Sequence, residues 1–233
     1  MLAIILAAVL VAPRFLAPGA PPSALGNGIA IVDAERFLGI YHEGLLQSWA
    51  IDAPPVVIAA NWWYGLMHFG VTAAVFIWLF RRRSNSFPLW RNTLAIASVV
   101  TLVTQAAWPA TPPRLLGGAS GAGSFVDTLA TYSSVWSFSG HGSGGVANQY
   151  AAMPSMHCVW ALWCACVLVP RVQHRWVRVC AIVYPMITVL AIVLTGNHYV
   201  LDAVGGFVAL GVGYGVARVF TRRGRRPALA LVA

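Results

Sequence analysis

The chain has no lysine. All fifteen of its basic residues are arginine, and only six residues are acidic. Charge is scarce in general, at 9% of the 233 residues, against 59% hydrophobic. A soluble globular domain carries about 25% charged residues, so this composition excludes one. The net charge of +9 does not signal nucleic acid, because the arginines stand in short runs between long apolar segments, as in membrane topology. The four cysteines (158, 164, 166 and 180) all lie inside apolar segments. That excludes a disulfide framework and leaves them as small core residues. No internal repeat and no separate soluble domain is present.

What the chain does have is apolar runs of membrane-spanning length, about 20 residues. The pattern predicts an all-α membrane bundle of six spans within a single domain covering 1–233. The spans fall at about 1–18, 61–80, 92–110, 153–170, 178–196 and 202–220, with an outer loop at 111–152. Met1–Ala12 lacks the basic start of a secretory signal and reads as part of the first span, continuing past Pro13. If the Arg81–Arg83 end faces the cytoplasm, twelve of the fifteen arginines fall on that side. All six acidic residues (Asp33, Glu35, Glu43, Asp52, Asp127 and Asp202) then fall outside. By the positive-inside rule both termini are cytoplasmic. Seven of the ten tryptophans lie near span ends, as an interfacial aromatic belt would. Within Gly28–Ile51, Leu38, Tyr41, Leu45 and Trp49 recur opposite Glu35, Arg36, His42, Glu43 and Gln47. This spacing predicts an amphipathic helix in the outer interface. Integration into a cell membrane follows, and the arginine-only, Ala- and Gly-rich composition points to a bacterial plasma membrane.

Three polar clusters interrupt the apolar pattern, all at outer span ends. The first is Pro112-Pro113-Arg114, where an isolated arginine either snorkels to headgroups or clamps a phosphate with its planar fork. The second is Pro154-Ser155-Met156-His157. Pro-Ser suits a helix start, whose free N–H groups bind anions, but a cap does not explain His157. The third is Gly196-Asn197-His198-Tyr199-Val200-Leu201-Asp202. His198 and Asp202 are four apart and share a helix face. A carboxylate on one imidazole nitrogen fixes the tautomer and leaves the other nitrogen basic, as a nucleophile or base requires. A purely structural His–Asp pair is the alternative, although ionisable residues in spans are usually functional. Second-rank candidates are His68, with Tyr64 one turn before it, and Asn148 in the outer loop.

Together the clusters resemble the motifs of the type 2 phosphatidic acid phosphatase superfamily: an arginine motif, Pro-Ser-x-His and His-x-x-x-Asp, in that order. The longer strings Pro112–Leu115, Ala152–His157 and His198–Gly206 are most similar to the inositol phosphorylceramide synthase-like branch. The resemblance implies a lipid phosphatase or phosphotransferase that needs no cofactor and no metal and acts on a lipid phosphate or phospholipid at the non-cytoplasmic face. It implies His198 as nucleophile, Asp202 as its orienting partner, His157 as proton donor and acceptor, and Arg114 and Ser155 as phosphate ligands. Two positions depart from the family pattern. Ala107 stands where a lysine is usual and Ile192 where an arginine is usual. Arg36, His141 and Asn148 are the side chains considered as substitutes. A non-catalytic transporter or lipid-binding protein on the same fold is the reading from another functional class, since intramembrane His and Asp also build proton relays.

Overall fold

A computed structural model describes residues 22–83, 85–132 and 149–223. The predicted span at 1–18, together with His141 and Asn148, lies outside the described residues. The described residues are mostly helical and contain no strand, only an isolated bridge between Ala110 and Ala151. In chain order the helices are α1 (Pro22–Phe37), α2 (Glu43–Ile51), α3 (Pro54–Arg82), α4 (Phe87–Ala107), α5 (Thr128–Thr131), α6 (Met156–Leu168), α7 (Arg175–Leu194) and α8 (Val200–Arg223). Each of the five predicted spans among the described residues overlaps a helix, although the spans at 92–110, 153–170 and 178–196 run past the helix ends.

Three of these helices are long and apolar enough to cross a membrane: Pro54–Arg82, Arg175–Leu194 and Val200–Thr221. Helix α4 has the length, but Arg91, Asn92 and a set of inward-facing polar residues dilute its apolarity. Thr93, Ser98, Thr101 and Gln105 are buried. Two of them meet partners in the bundle: Ser98 Oγ accepts from Trp160 Nε1 at 3.0 Å, and Gln105 Nε2 donates to the Ala151 and Pro154 carbonyls. Helix α6 has only 13 residues. It sits at the centre of the bundle, with Cys158, Val159, Trp160, Ala161, Trp163, Cys164, Ala165 and Val167 all buried.

The outward faces are apolar. Val204, Val208, Val212, Val216 and Val219 make an exposed stripe along α8, and Val179, Ile182, Met186 and Leu190 another along α7. Stripes of this extent do not face water in a soluble monomer. Inside, α8 packs most extensively on α4, and small residues permit the close approach. A Cβ on Gly213 would lie 2.8 Å from Ala97 Cβ and 2.9 Å from the Thr93 carbonyl. Bundles in lipid rely on such contacts, because lipid removes the hydrophobic drive between helices.

The interfacial segment differs from the single amphipathic helix that its periodicity suggests. It forms two helices, α1 and α2, broken where Gly39 takes φ +69°. The predicted faces hold only in part: Glu35, Glu43 and Gln47 turn inward, whereas Arg36 and His42 of the same predicted face are exposed and Tyr41 is half-buried. Leu38, Leu45 and Trp49 are exposed, whereas Glu35, Glu43 and Gln47 are buried against the bundle. Helix α1 docks on the segment after α4: Asn27 Nδ2 donates to the Pro109 carbonyl at 2.8 Å, and the Thr111 amide donates to the Ala24 carbonyl at 2.9 Å. At the opposite end Arg83 bonds the Arg171 carbonyl and Arg171 lies over the Trp90 ring.

Gly213→Ala is expected to destabilise the protein by about 1–3 kcal/mol, because the added methyl meets backbone on a facing helix. Thermal unfolding in detergent measures this, and an unchanged midpoint would show that the α4–α8 contact is looser than described.

Candidate active site

The end of the bundle opposite Arg83 and Arg171 collects the polar motifs. Helix α7 stops in a turn at Thr195–Asn197, where Gly196 takes φ +65°, a conformation that favours glycine. The Asn197 and His198 amides both return to the Ile192 carbonyl at 3.2 Å. The turn delivers His198 just before the start of α8. Its Nδ1 lies 2.8 Å from the Ala152 carbonyl and 3.1 Å from Asp202 Oδ2. Two acceptors at one nitrogen require the proton there, which leaves the Nε2 lone pair free. Asp202 is fully buried, and its Oδ2 also accepts from the Tyr199 amide at 2.9 Å. A carboxylate that reaches back to the residue before its helix is a capping arrangement.

Helix α6 is tied to the same residue, since the Ser155 amide donates to the Asp202 carbonyl at 2.9 Å. Gly205 and Gly206 make this possible. A Cβ on Gly206 would sit 2.6 Å from the Ser155 carbonyl oxygen, and one on Gly205 would sit 3.2 Å from Pro154 Cβ. Ser155 holds the cap position of α6, as its sequence context suggests, but makes no capping bond. Its Oγ is buried without a hydrogen-bond partner, as are His157 Nδ1 and Asp202 Oδ1.

His157 joins the two halves of the site. Its ring stacks on Tyr64 with centroids 4.3 Å apart and meets His198 at 5.5 Å and His68 at 4.3 Å, both edge-on. Tyr64 belongs to a π-helical turn in α3, Trp63–Met67, a distortion frequent at functional sites. His68 Nδ1 lies 2.9 Å from the Tyr64 carbonyl, and Tyr184 of α7 donates its hydroxyl to the Met67 carbonyl at 3.2 Å. The two second-rank residues His68 and Tyr64 therefore belong to the same ring cluster as His157. Asn148 lies outside the described residues.

Arg114 is held on the other side of the Gly196 turn. Its amide donates to the Gly196 carbonyl, its Nε donates to Asn197 Oδ1 at 2.8 Å, and its Nη1 pairs with Asp127 Oδ2 at 2.7 Å. Asp127 in turn caps α5 through Oδ1. A planar fork held at two edges is a fixed cation rather than a swinging one. At the departures from the family pattern, Ile192 is fully buried in an apolar cluster with Cys158 and Val193, and Ala107 ends α4. Arg36 is engaged elsewhere: it bonds the Gly121 carbonyl and lies over Tyr41.

The sequence model of the PAP2 superfamily matches residues 29–216. The chain belongs to the PAP2 superfamily. No curated protein and no solved structure matches it. Superfamily membership supports a phosphatase or phosphotransferase activity on lipid phosphates at the family level. Among the described residues no group of three or more His, Cys, Asp or Glu is placed to hold a metal ion.

Sequence reasoning missed Asn197, Asp127 and Gln47. Gln47 is buried and spans from Val126, where it both donates and accepts, to the Leu194 carbonyl. Asn197 had a signal, since it adjoins His198. Asp127 and Gln47 had none beyond polarity, because their partners lie 13 to 147 residues away. Arg114→Lys keeps the charge but cannot bond both Asn197 and Asp127. A rise in KM of about tenfold for a lipid phosphate is expected, read by steady-state kinetics. A wild-type KM would mean that the fork geometry does not matter.

Proposed function

We propose that the protein transfers a phosphoryl group from a lipid phosphate at the non-cytoplasmic membrane face, through a phosphohistidine formed on His198. The observation that carries this reading is the double acceptor on His198 Nδ1, which commits the Nε2 lone pair to attack. In the first step Nε2 bonds to phosphorus in line with the lipid oxygen. The P–O bond breaks, and His157 gives its proton to the departing oxygen. In the second step His157 takes a proton from an incoming hydroxyl, whose oxygen displaces His198.

Arg114, the Ser155 hydroxyl and the first N–H groups of α6 are the donors assigned to the phosphate oxygens. The unsatisfied Ser155 Oγ supports this assignment, since a buried hydroxyl without a partner is costly unless something else fills its bonding capacity. Tyr64 positions His157 by stacking. When the incoming hydroxyl is water the outcome is hydrolysis. When it belongs to a lipid or sugar alcohol the outcome is transfer, and the similarity of the strings around the motifs to the inositol phosphorylceramide synthase-like branch points that way. The sorting of twelve of the fifteen arginines away from the carboxylates along the sequence supports six spans with both termini cytoplasmic.

His198→Ala and His157→Ala should each lower turnover by about 10²–10⁴-fold while the protein stays folded. The assay is release of free phosphate and headgroup transfer by purified protein over a panel of lipid phosphates. Full activity in either variant contradicts the assignment, and no turnover by wild type on any lipid phosphate favours a non-catalytic role.

A further inference from the structure

Two acidic residues outside this mechanism are completely buried: Glu35 in α1 and Glu43 in α2, each 0% exposed. Buried carboxylates without partners are costly, so their surroundings are informative. Glu35 Oε1 accepts from the Leu201 amide at 2.7 Å, and Glu43 Oε1 accepts from the Val200 amide at 3.1 Å. With Tyr199 on Asp202, three successive amides at the start of α8 each meet a carboxyl oxygen. These are amides for which a helix supplies no internal acceptor, at its positive dipole end. They directly follow His198 in the chain.

The second oxygens, Glu35 Oε2 and Glu43 Oε2, find no donor while both groups are counted as carboxylates. A proton carried by Glu35 and turned towards Glu43 would supply the missing donor. Burial, and then the Glu43 side chain, push Glu35 up to about 9. Glu35 is therefore the better proton carrier of the pair, with Glu43 Oε2 left unpartnered and buried.

We propose that Glu35 and Glu43 form a proton-sharing clamp on the first turn of α8, positioning His198 and Asp202 without touching substrate. The proposal rests on the reading of His198 as nucleophile. It gives α1 and α2 a role in catalysis that their peripheral location does not announce. The other ionisable groups acting on this cluster are Asp202, Tyr41, Tyr199 and Arg36. The two phenols donate to the Ala122 and Thr111 carbonyls, each at 2.7 Å, and Tyr41 is pushed up to about 12 by burial. Glu35 binds its proton more tightly in the fold than in the unfolded chain. Its stabilising contribution is thus full below about 4.5 and is lost as pH rises through about 9. Above that, two buried carboxylates repel each other and the first turn of α8 loosens.

The shared proton sets an unusual substitution rule. Glutamine at either position keeps one donor between two acceptor sites, because its amide replaces the acid O–H. Glutamine at both positions turns two donors towards each other. The test uses the full chain in nanodiscs, with lipid-phosphate turnover and amide hydrogen exchange over residues 199–202 as readouts. Glu35→Gln and Glu43→Gln should each keep kcat within about threefold. The double variant should lose on the order of tenfold or more in kcat at little-changed KM, with faster exchange at 199–202. The wild-type kcat profile should fall near pH 9, and that limb should vanish in Glu35→Gln. Wild-type kcat and exchange in the double variant overturn the clamp, as do single variants as damaged as the double. If the double variant fails to fold, the single variants and the alkaline limb still decide. Turnover surviving in His198→Ala would instead overturn the nucleophile assignment, while the exchange data would still report on the clamp.

Discussion

One carboxylate oxygen organises this end of the molecule. Oδ2 of Asp202 meets the imidazole of His198 and the amide of Tyr199 together, so it orients the proposed nucleophile and starts the helix that carries it. The same residue's carbonyl anchors the Ser155 amide and with it the N-terminus of α6. Leaving a buried polar group without its partner typically costs about 1–3 kcal/mol, more than a surface contact. The placement of His157 relative to His198 therefore depends on Asp202 as much as on either histidine.

That arrangement demands close backbones. Gly206 lets α8 come within contact of the Ser155 carbonyl, and Gly213 brings the same helix against Ala97 and Thr93 on α4. On the far side, α3 bends its ladder into a π turn at Trp63–Met67, supported from α7 by Tyr184 on the Met67 carbonyl and by Thr188 on Trp63 Nε1. The turn presents Tyr64 and His68 to His157. The outward faces stay apolar, so the bundle keeps its polar groups inside and offers valine, isoleucine and phenylalanine to lipid.

Much of this was legible from residue order. The helices of the bundle follow from apolar run length, and the His198–Asp202 contact was legible from the four-residue spacing, although His198 stands just before α8 and Asp202 reaches back to it. Tyr64 and His68 were readable as a pair, though not the π turn that aims them, because nothing in Trp-Tyr-Gly-Leu-Met marks a change of helical pitch. The interfacial segment was legible only in part, since Glu35, Glu43 and Gln47 share a buried side but Arg36 and His42 do not join them. Amphipathicity says that Glu35, Glu43 and Gln47 share a side, not whether water or the start of α8 receives them. Arg114 was found by its isolation. Its partners Asn197 and Asp127 were not, since sequence patterns carry local periodicity and these contacts join segments that only the tertiary fold brings together.

The central claim is that Nε2 of His198 bonds to phosphorus. Rapid quenching of wild-type protein with a lipid phosphate bearing labelled phosphorus tests it directly. A label that is acid-labile and alkali-stable, located on His198 by peptide mapping and absent in His198→Ala, is the predicted result. Turnover of the same substrate with no label at His198 at any quench time, or with the label on another side chain, would contradict the account.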